Sequence, residues 1–237
     1  MGPFDPKENE MNARYPAAAV LLLSAVFAPA PAPAQGQASS ATTMGFFLTS
    51  AGPGRGANLG GLNGADQHCQ KLATAVGAGR KTWRAYLSEN GSAGHPTRHA
   101  RERIGTGPWY NAKGVLIARN VDELHGDKVN ITKETALTEK GEAINGRGDN
   151  PNRHDVLTGS QPDGTAFPGT DSANTTCGNW VRYFPNSGKA RVGHHDRQGN
   201  DPKTGSSWNS AHESAGCNQQ NLESTGGAGL FYCFAVD

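Results

Sequence analysis

One early segment of the chain has the spacing of apolar residues that is typical of an amphipathic helix. These residues recur every three or four positions and comprise Ala65, Cys69, Leu72, Ala73 and Val76. Asn63 is placed to cap the helix, and Asp66 in the first turn suits the helix dipole. Gly77 and Gly79 end the pattern. We therefore predict a helix whose Cys69 faces the core.

Other segments have the alternating or continuous apolar pattern of short strands. Residues 44–50 are apolar and β-prone, and 82–88 alternates, with Trp83, Ala85 and Leu87 on one side. Residues 108–118 predict a hairpin that turns at 111–114, and Asn120 with Glu123 predicts a capped short helix. Further strands are expected at 155–158, 178–183, 190–193 and 229–237.

The last of these strands, 229–237, is apolar on both faces, which indicates a central position in a sheet. A helix early in the chain, followed by short strands and long loops, favours an α+β domain over a βαβ arrangement. About 200 residues remain once a leader is removed, which suits one domain with a real core.

The N-terminal pattern predicts export. Arg14 precedes an apolar run over 17–28, and small residues follow at Ala32 and Ala34. We interpret 1–34 as a signal peptide, with translation beginning at Met11, and 35–43 as a linker before a domain over 44–237. The apolar run is shorter than the about 20 residues that a membrane span needs. The protein is thus expected in the periplasm or outside the cell.

Charge and cysteine content narrow the function classes. A net charge of +1 gives no excess of basic residues of the kind that binds a nucleic acid. The four cysteines, an even number in an exported chain, predict two disulfides, for which three pairings are open. They also leave no free thiol for nucleophilic catalysis, and the sequence holds no metalloprotease HExxH motif.

Nearly the whole of 44–237 resembles endostatin, the C-terminal domain of collagens XV and XVIII. The segment NGADQHCQKLATAVGAGRKTWRAYLS (63–88) is similar to its helix and following strand. GSQPDGTAF (159–167), the Cys-x-x-Trp of Cys177 to Trp180, and the closing YCF (232–234) match its second half. The resemblance implies a C-type-lectin-like fold with nested bridges Cys69–Cys233 and Cys177–Cys217.

The ligands of endostatin do not carry over with the resemblance. Its N-terminal zinc histidines have no counterpart in ATTMGFF (41–47). Of its heparin-binding arginines, one corresponds to Asn63 and another to Val181, with Arg182 displaced by one place. The resemblance therefore implies the fold without zinc or heparin.

The triplet Gln161-Pro162-Asp163 spells a galactose-associated motif of calcium-dependent lectins. Such lectins add Trp-Asn-Asp before the third cysteine, whereas this chain has Trp208-Asn209 followed by Ser210. One carboxylate is missing, and Ca²⁺ needs several hard oxygen ligands. We therefore predict a tight turn beside the Trp208 loop, with a calcium-dependent sugar site as the alternative.

Two further motifs have ordinary and functional interpretations. His194, His195 and Asp196 are expected in a solvated loop; the alternative is a metal site, although adjacent histidines on a strand point to opposite faces. Arg147-Gly148-Asp149 spells the integrin-binding tripeptide, which also arises by chance.

The aromatic residues complete the functional prediction. Trp109, Tyr110 and Trp208 are expected in exposed loops, where rings stack on sugars. With Gln161, Asp163 and Asn209 they form the predicted ligand site. The sequence thus predicts a non-catalytic, lectin-like module that binds a glycan. The alternatives are an adhesion domain for protein or extracellular matrix and, third, an enzyme on the same scaffold.

Overall fold

The computed structural model describes residues 43–92, 94–169, 175–201 and 203–237. The predicted signal peptide and nearly all of the predicted linker lie outside these residues. Among the described residues, no helix combines the length and the apolar character that crossing a membrane requires.

The strands are short except for the last one. They are β1 (Phe46–Leu48), β2 (Trp83–Ala85), β3 (Trp109–Tyr110), β4 (Leu116–Ala118), β5 (Asp155–Leu157), β6 (Arg191–His194), β7 (His212–Glu213) and β8 (Gly227–Ala235). The helical segments are α1 (Gly61–Ala75), α2 (Ala100–Arg103), α3 (Val121–Leu124), α4 (Cys177–Trp180) and α5 (Gln219–Ser224). The α+β class predicted from the sequence is confirmed.

Strand β8 is the centre of the main sheet, as its apolar character predicts. It pairs antiparallel with β1 and β2 and parallel with β5, and β6 and β7 follow on from β5. Strands β3 and β4 form a separate hairpin, as predicted. Alternate side chains of β8 enter two different cores: Phe231 and Cys233 pack on the side of α1, and Tyr232 and Phe234 on the other. Burial on both faces explains why this strand is apolar throughout.

Two disulfides fasten the helical segments to the rest of the domain. Cys69 in α1 is bonded to Cys233 in β8, and Cys177 in α4 is bonded to Cys217. This is the pairing that the resemblance implies. The first bridge ties the amphipathic helix to the central strand, and Cys69 is fully buried, so the predicted inward orientation of Cys69 is confirmed.

The predicted start of helix α1 is wrong. The helix begins at Gly61 after a left-handed Gly60, so Asn63 lies inside it and does not cap it. Asp66 serves a different purpose from the predicted dipole contact. Its buried carboxylate accepts hydrogen bonds from the Arg84 and Arg103 guanidinium groups, each at 2.7 Å, and from the Ala85 amide at 2.9 Å. Asp66 therefore joins α1 to β2 and α2.

The predicted strand over 178–183 is also wrong. Gly178 and Asn179 have positive φ values of 66° and 58°, which a β-strand does not allow. The Thr176 hydroxyl accepts a hydrogen bond from the Asn179 amide at 3.0 Å and closes a tight turn instead. The turn buries Trp180, whose indole Nε1 donates to the Ser88 carbonyl at 2.8 Å.

Candidate functional site

The Gln161-Pro162-Asp163 segment is a tight turn whose side chains bond within the turn itself. The Gly164 amide donates to the Gln161 carbonyl at 2.9 Å. The Asp163 carboxylate accepts from the Thr165 amide at 3.0 Å and from its hydroxyl at 2.6 Å, and the hydroxyl contact lowers the pKa of Asp163. Gln161 Nε2 donates to Thr165 Oγ1 and to the Ala166 carbonyl. Both side chains thus stabilise the turn.

The loop that carries Trp208 and Asn209 lies beside this turn, as expected, but both side chains are buried. Asn209 Nδ2 lies within hydrogen-bonding distance of the Tyr86 hydroxyl, at 2.9 Å, and of the Gln161 and Pro162 carbonyls, at 3.1 Å. The Trp208 ring packs against Tyr86, with ring centroids 4.8 Å apart. These contacts join the turn to the core and give no exposed oxygen cluster of the lectin type.

The prediction that the aromatic residues lie in exposed loops is wrong. Trp109 is 1% exposed and Trp208 is 4% exposed, because the β3–β4 hairpin and the Trp208 loop pack onto the core that contains Tyr232 and Phe234. The Trp109 indole donates to the Ala235 carbonyl at 3.1 Å. Tyr110 is half-buried. Ser210, where lectins have a carboxylate, is buried and accepts a hydrogen bond from Arg191 Nε at 3.1 Å. A sugar therefore has no access to Trp109 or Trp208.

A different group of side chains meets at the edge strands β5, β6 and β7. Asp155 begins β5, and its direct partner in the antiparallel register is His194 at the end of β6. His212 in β7 is opposite Val192, two residues before His194, which makes it a diagonal neighbour of that histidine. His154 precedes β5, and its ring stacks on that of His194 at a centroid distance of 4.0 Å. We call His154, Asp155, His194 and His212 the histidine–aspartate cluster.

One carboxylate oxygen is the common neighbour of all three imidazoles. Asp155 Oδ1 lies 3.3 Å from Nε2 of each of His154, His194 and His212. The Asp155 and His194 side chains are buried, at 2% and 3% exposure, whereas that of His212 is 40% exposed. Ligand atoms of the three buried members, His154, Asp155 and His194, lie within 4.8 Å of one another, and His212 is not part of this group.

The contacts in the cluster are short but lack hydrogen-bond geometry. Within the described part of the chain, both Asp155 carboxylate oxygens and His194 Nε2 are buried without a hydrogen-bond partner. Burial opposes ionisation of Asp155, yet the imidazoles of His194 and His212 outweigh it and hold the pKa of the carboxyl below its ordinary value. Contact with Asp155 raises the pKa of His212. The cluster therefore concentrates unpaired polar atoms around one negative charge.

The opposite ring nitrogen of each histidine is held by an acceptor. His154 Nδ1 lies 3.3 Å from Asp196 Oδ1, His194 Nδ1 lies 2.7 Å from the Gly205 carbonyl, and His212 Nδ1 lies 2.9 Å from the Glu213 carbonyl. An acceptor at Nδ1 requires the proton there, which leaves the Nε2 lone pair free in the neutral ring. In each neutral ring, the nitrogen nearest Asp155 is thus the unprotonated one.

Asp196 supports His154 from behind the cluster. Its buried carboxylate accepts from the Arg147 amide at 2.6 Å and from the Gln198 amide at 3.1 Å. Burial opposes ionisation, but the His154 contact and these two amides outweigh it and lower the pKa of Asp196 far below its ordinary value. Gly146 is required here, because a Cβ at this position would lie 2.6 Å from Asp196 Oδ2.

The histidines named from the sequence thus divide into two groups. His194 belongs to the cluster and Asp196 supports it, but His195 is buried elsewhere, with Nε2 at 3.2 Å from the Asn145 carbonyl. The expected solvated loop is wrong, since all three residues are buried. The sequence patterns did not single out His154, Asp155 or His212. The only signal for the first two was a His-Asp pair at the start of a predicted strand, and His212 had none.

The cluster lies beside three neighbouring pockets that share some of their lining residues. The first pocket, of about 750 Å³, shares Asn152 and Thr225 with the second, of about 440 Å³. The second shares Arg147 and Asp201 with the third, of about 410 Å³. The three histidines of the cluster line the second pocket. We call the three pockets together the groove.

The lining of the groove is dominated by amide, hydroxyl, charged and glycine residues. Its apolar members are Ala51, Pro151, Ala211, Ala228 and Leu230. Arg147 Nη2 donates to Asn200 Oδ1 at 2.5 Å, and Asp149 forms an ion pair with Lys133 at 2.5 Å. Both charged residues of the Arg-Gly-Asp tripeptide are therefore engaged within the domain.

A comparison with known proteins finds no matching family model and no matching curated protein.

Proposed function

We propose that this chain is an exported, non-catalytic binding module that holds a glycan in the groove. The observation that carries the proposal is that three pockets share lining residues, many of which have hydrogen-bonding side chains. Hydroxyl-rich chains suit such a lining because each hydroxyl both donates and accepts. Export is supported by the two disulfides, which persist in oxidising compartments.

The C-type-lectin-like fold, similar to endostatin, remains part of this proposal. It is supported by the two nested bridges and by a terminal strand at the centre of the sheet. The site differs from the lectin motif, because Gln161 and Asp163 are used within their own turn. We therefore place the ligand in the groove, and calcium has no part in the proposal.

A glycan array probed with tag-free protein tests this function, followed by calorimetry on the best binder. Arg153→Ala removes an exposed donor from the first pocket, and Asn152→Ala changes the junction of the first two. Each substitution should weaken binding about tenfold, which corresponds to a loss of about 1.4 kcal/mol. Asp163→Ala is the matched control outside the groove and should bind as the wild type does.

Two results would overturn the proposal. One is an array without any reproducible glycan, and the other is binding that Asp163→Ala abolishes while both groove variants retain it. The second result would return the sugar to the Gln-Pro-Asp turn.

One observation favours the alternative of an adhesion domain. Val181, Tyr183 and Phe184 are exposed large apolar residues, at 54%, 38% and 60%, and the last two rings lie 4.2 Å apart. Exposed apolar groups of this kind mark protein contacts when they form a patch. Binding to matrix-coated surfaces that Phe184→Ser abolishes, without any glycan binding, would favour adhesion.

A further inference from the structure

We propose that the histidine–aspartate cluster is a binding site for a divalent transition-metal ion of the zinc type. Its ligands are Asp155 and the Nε2 atoms of His154 and His194, the three groups whose ligand atoms all lie close to one another. The proposal is independent of the glycan, because it depends only on the geometry of these three side chains.

The tautomers of the three rings are the first argument. Each Nδ1 faces an acceptor, namely Asp196 or one of two main-chain carbonyls. Imidazoles that bind metals have the same arrangement, since the outer acceptor fixes the ring and makes the inner nitrogen a better ligand. His154 and His194 therefore form a metal-ligand set with Asp155, because their outer nitrogens are held and their inner nitrogens both lie beside this carboxylate.

The distances are the second argument. Zinc lies about 2.0–2.1 Å from nitrogen and oxygen ligands in a tetrahedral site, so neighbouring ligand atoms are separated by about 3.3 Å. Nε2 of His154 and Nε2 of His194 each lie 3.3 Å from Asp155 Oδ1. Neither Asp155 oxygen has a hydrogen-bond partner among the described residues, yet these distances match the edge of a metal coordination shell.

The charge balance of the cluster is the third argument. Both Asp155 carboxylate oxygens and His194 Nε2 are buried without a hydrogen-bond partner among the described residues, in a place where unsatisfied polar atoms are costly. A single divalent ion between Asp155, His154 and His194 supplies the missing partner and balances the charge of the carboxylate.

The ligand types and the access route narrow the choice of metal. Imidazole ligands suit zinc, copper, nickel and iron, whereas calcium prefers a shell of six to eight oxygens. The ion can enter from the second pocket, because the three histidines line that pocket and His212 is 40% exposed. The sequence suggested, as an alternative, a metal site that included His194 and Asp196. In the proposed site His194 is a ligand, whereas Asp196 is a positioning residue.

Calorimetric titration of zinc into tag-free, EDTA-treated protein tests the site, with calcium titrated in parallel. We expect one zinc per chain and no comparable calcium binding. His154→Ala and His194→Ala should abolish tight binding, whereas Asp196→Asn should weaken it about 10- to 100-fold, the usual effect of an outer partner. His95→Ala removes an exposed histidine outside the cluster and is the matched control.

Asp155→Asn keeps the shape of the side chain and separates a metal site from a structural ion-pair cluster. If the site binds metal, the variant loses zinc, and its metal-free form unfolds at the wild-type temperature or above it. A metal-free variant that unfolds at a clearly lower temperature than the metal-free wild type would indicate a structural cluster of imidazolium ions. That result, or zinc binding that survives His194→Ala, would overturn the inference.

Discussion

His194 and His195 are adjacent in the chain, yet hydrogen-bond partners give them different roles. The Nδ1 atom of His194 is bound by the Gly205 carbonyl, so its Nε2 atom faces Asp155. His195 instead places Nε2 near the Asn145 carbonyl, and its Nδ1 is buried without a partner in the described residues. Residue type alone could not separate these two histidines, because the difference depends on main-chain carbonyls from distant loops.

Among the residues that form ion pairs, Asp66 is the one whose loss we expect to lower the free energy of unfolding most. Its carboxylate is 8% exposed and pairs with Arg103, which is 12% exposed. Asp66→Ala leaves the Arg103 charge buried without a partner and should lower the free energy of unfolding by about 3 kcal/mol. Urea unfolding measures this loss.

A matched control is available in Asp122, whose 94% exposed carboxylate pairs with Arg101. Asp122→Ala should change the free energy of unfolding by less than about 0.5 kcal/mol, as is usual for exposed pairs. Equal changes in the free energy of unfolding for Asp66→Ala and Asp122→Ala would show that the ion pair of Asp66 with Arg103 does not stabilise the domain.

His125 should make the domain sensitive to acid. Its Nδ1 donates to the Val121 carbonyl at 2.7 Å and its Nε2 accepts from the Tyr86 hydroxyl at 2.8 Å, an arrangement that needs the neutral ring. Burial lowers the pKa of His125 below its ordinary value. The unfolded chain therefore binds more protons than the folded protein, and stability falls as the pH drops below about 6.5.

Urea unfolding between pH 7.5 and pH 5 measures this dependence in the wild type and in His125→Gln. The glutamine keeps an acceptor for Tyr86 but does not titrate, so the variant should lose less stability over this interval. Identical pH slopes for the two proteins would contradict a role of His125.

Secondary structure was predictable where local pattern and packing agree. The spacing of apolar residues predicted three elements correctly: helix α1, the β3–β4 hairpin and strand β8. In each of them, the residues that the pattern predicts to be apolar and inward-facing are buried. The segment 178–183 was predicted wrongly because tertiary contacts favour left-handed residues there, with Thr176 and Trp180 anchoring the turn. Helix α1 starts earlier than Asn63 because Gly60 supplies the left-handed entry.

The two disulfides should contribute unequally to stability. Cys69 and Cys233 are separated by 164 residues, and Cys177 and Cys217 by 40. In the chain-entropy model, closing these loops stabilises by about 5 and about 4 kcal/mol, respectively. Replacing Cys69 and Cys233 by alanine should therefore lower the free energy of unfolding more than replacing Cys177 and Cys217. The reverse order in urea unfolding would show that native-state contacts outweigh loop entropy.

At the scale of the whole molecule, the histidine–aspartate cluster is assembled from segments that are distant in the chain. Asp155 and His194 meet only because β5 and β6 pair in register, and His212 joins because β7 extends the same sheet edge. No local pattern specifies this strand order, so His194 could be singled out from the sequence but its partners could not. The resemblance to endostatin, in contrast, implied the disulfide pairing correctly, because it compares the order of segments and cysteines along the whole chain.

The predicted leader should be removed on export. The apolar run over 17–28 and the small residues at Ala32 and Ala34 predict a mature protein that begins at Gln35, within a few residues. N-terminal sequencing of protein from periplasm or medium measures this. Uncleaved protein in the cytosol with reduced thiols would contradict export.

The most direct test of the metal centre is anomalous diffraction at the zinc absorption edge from crystals grown with zinc. The proposed site predicts one strong peak about 2.0–2.2 Å from Asp155 Oδ1 and from Nε2 of His154 and His194. A zinc peak elsewhere, with these three side chains unoccupied by metal in fully zinc-saturated crystals, would contradict it.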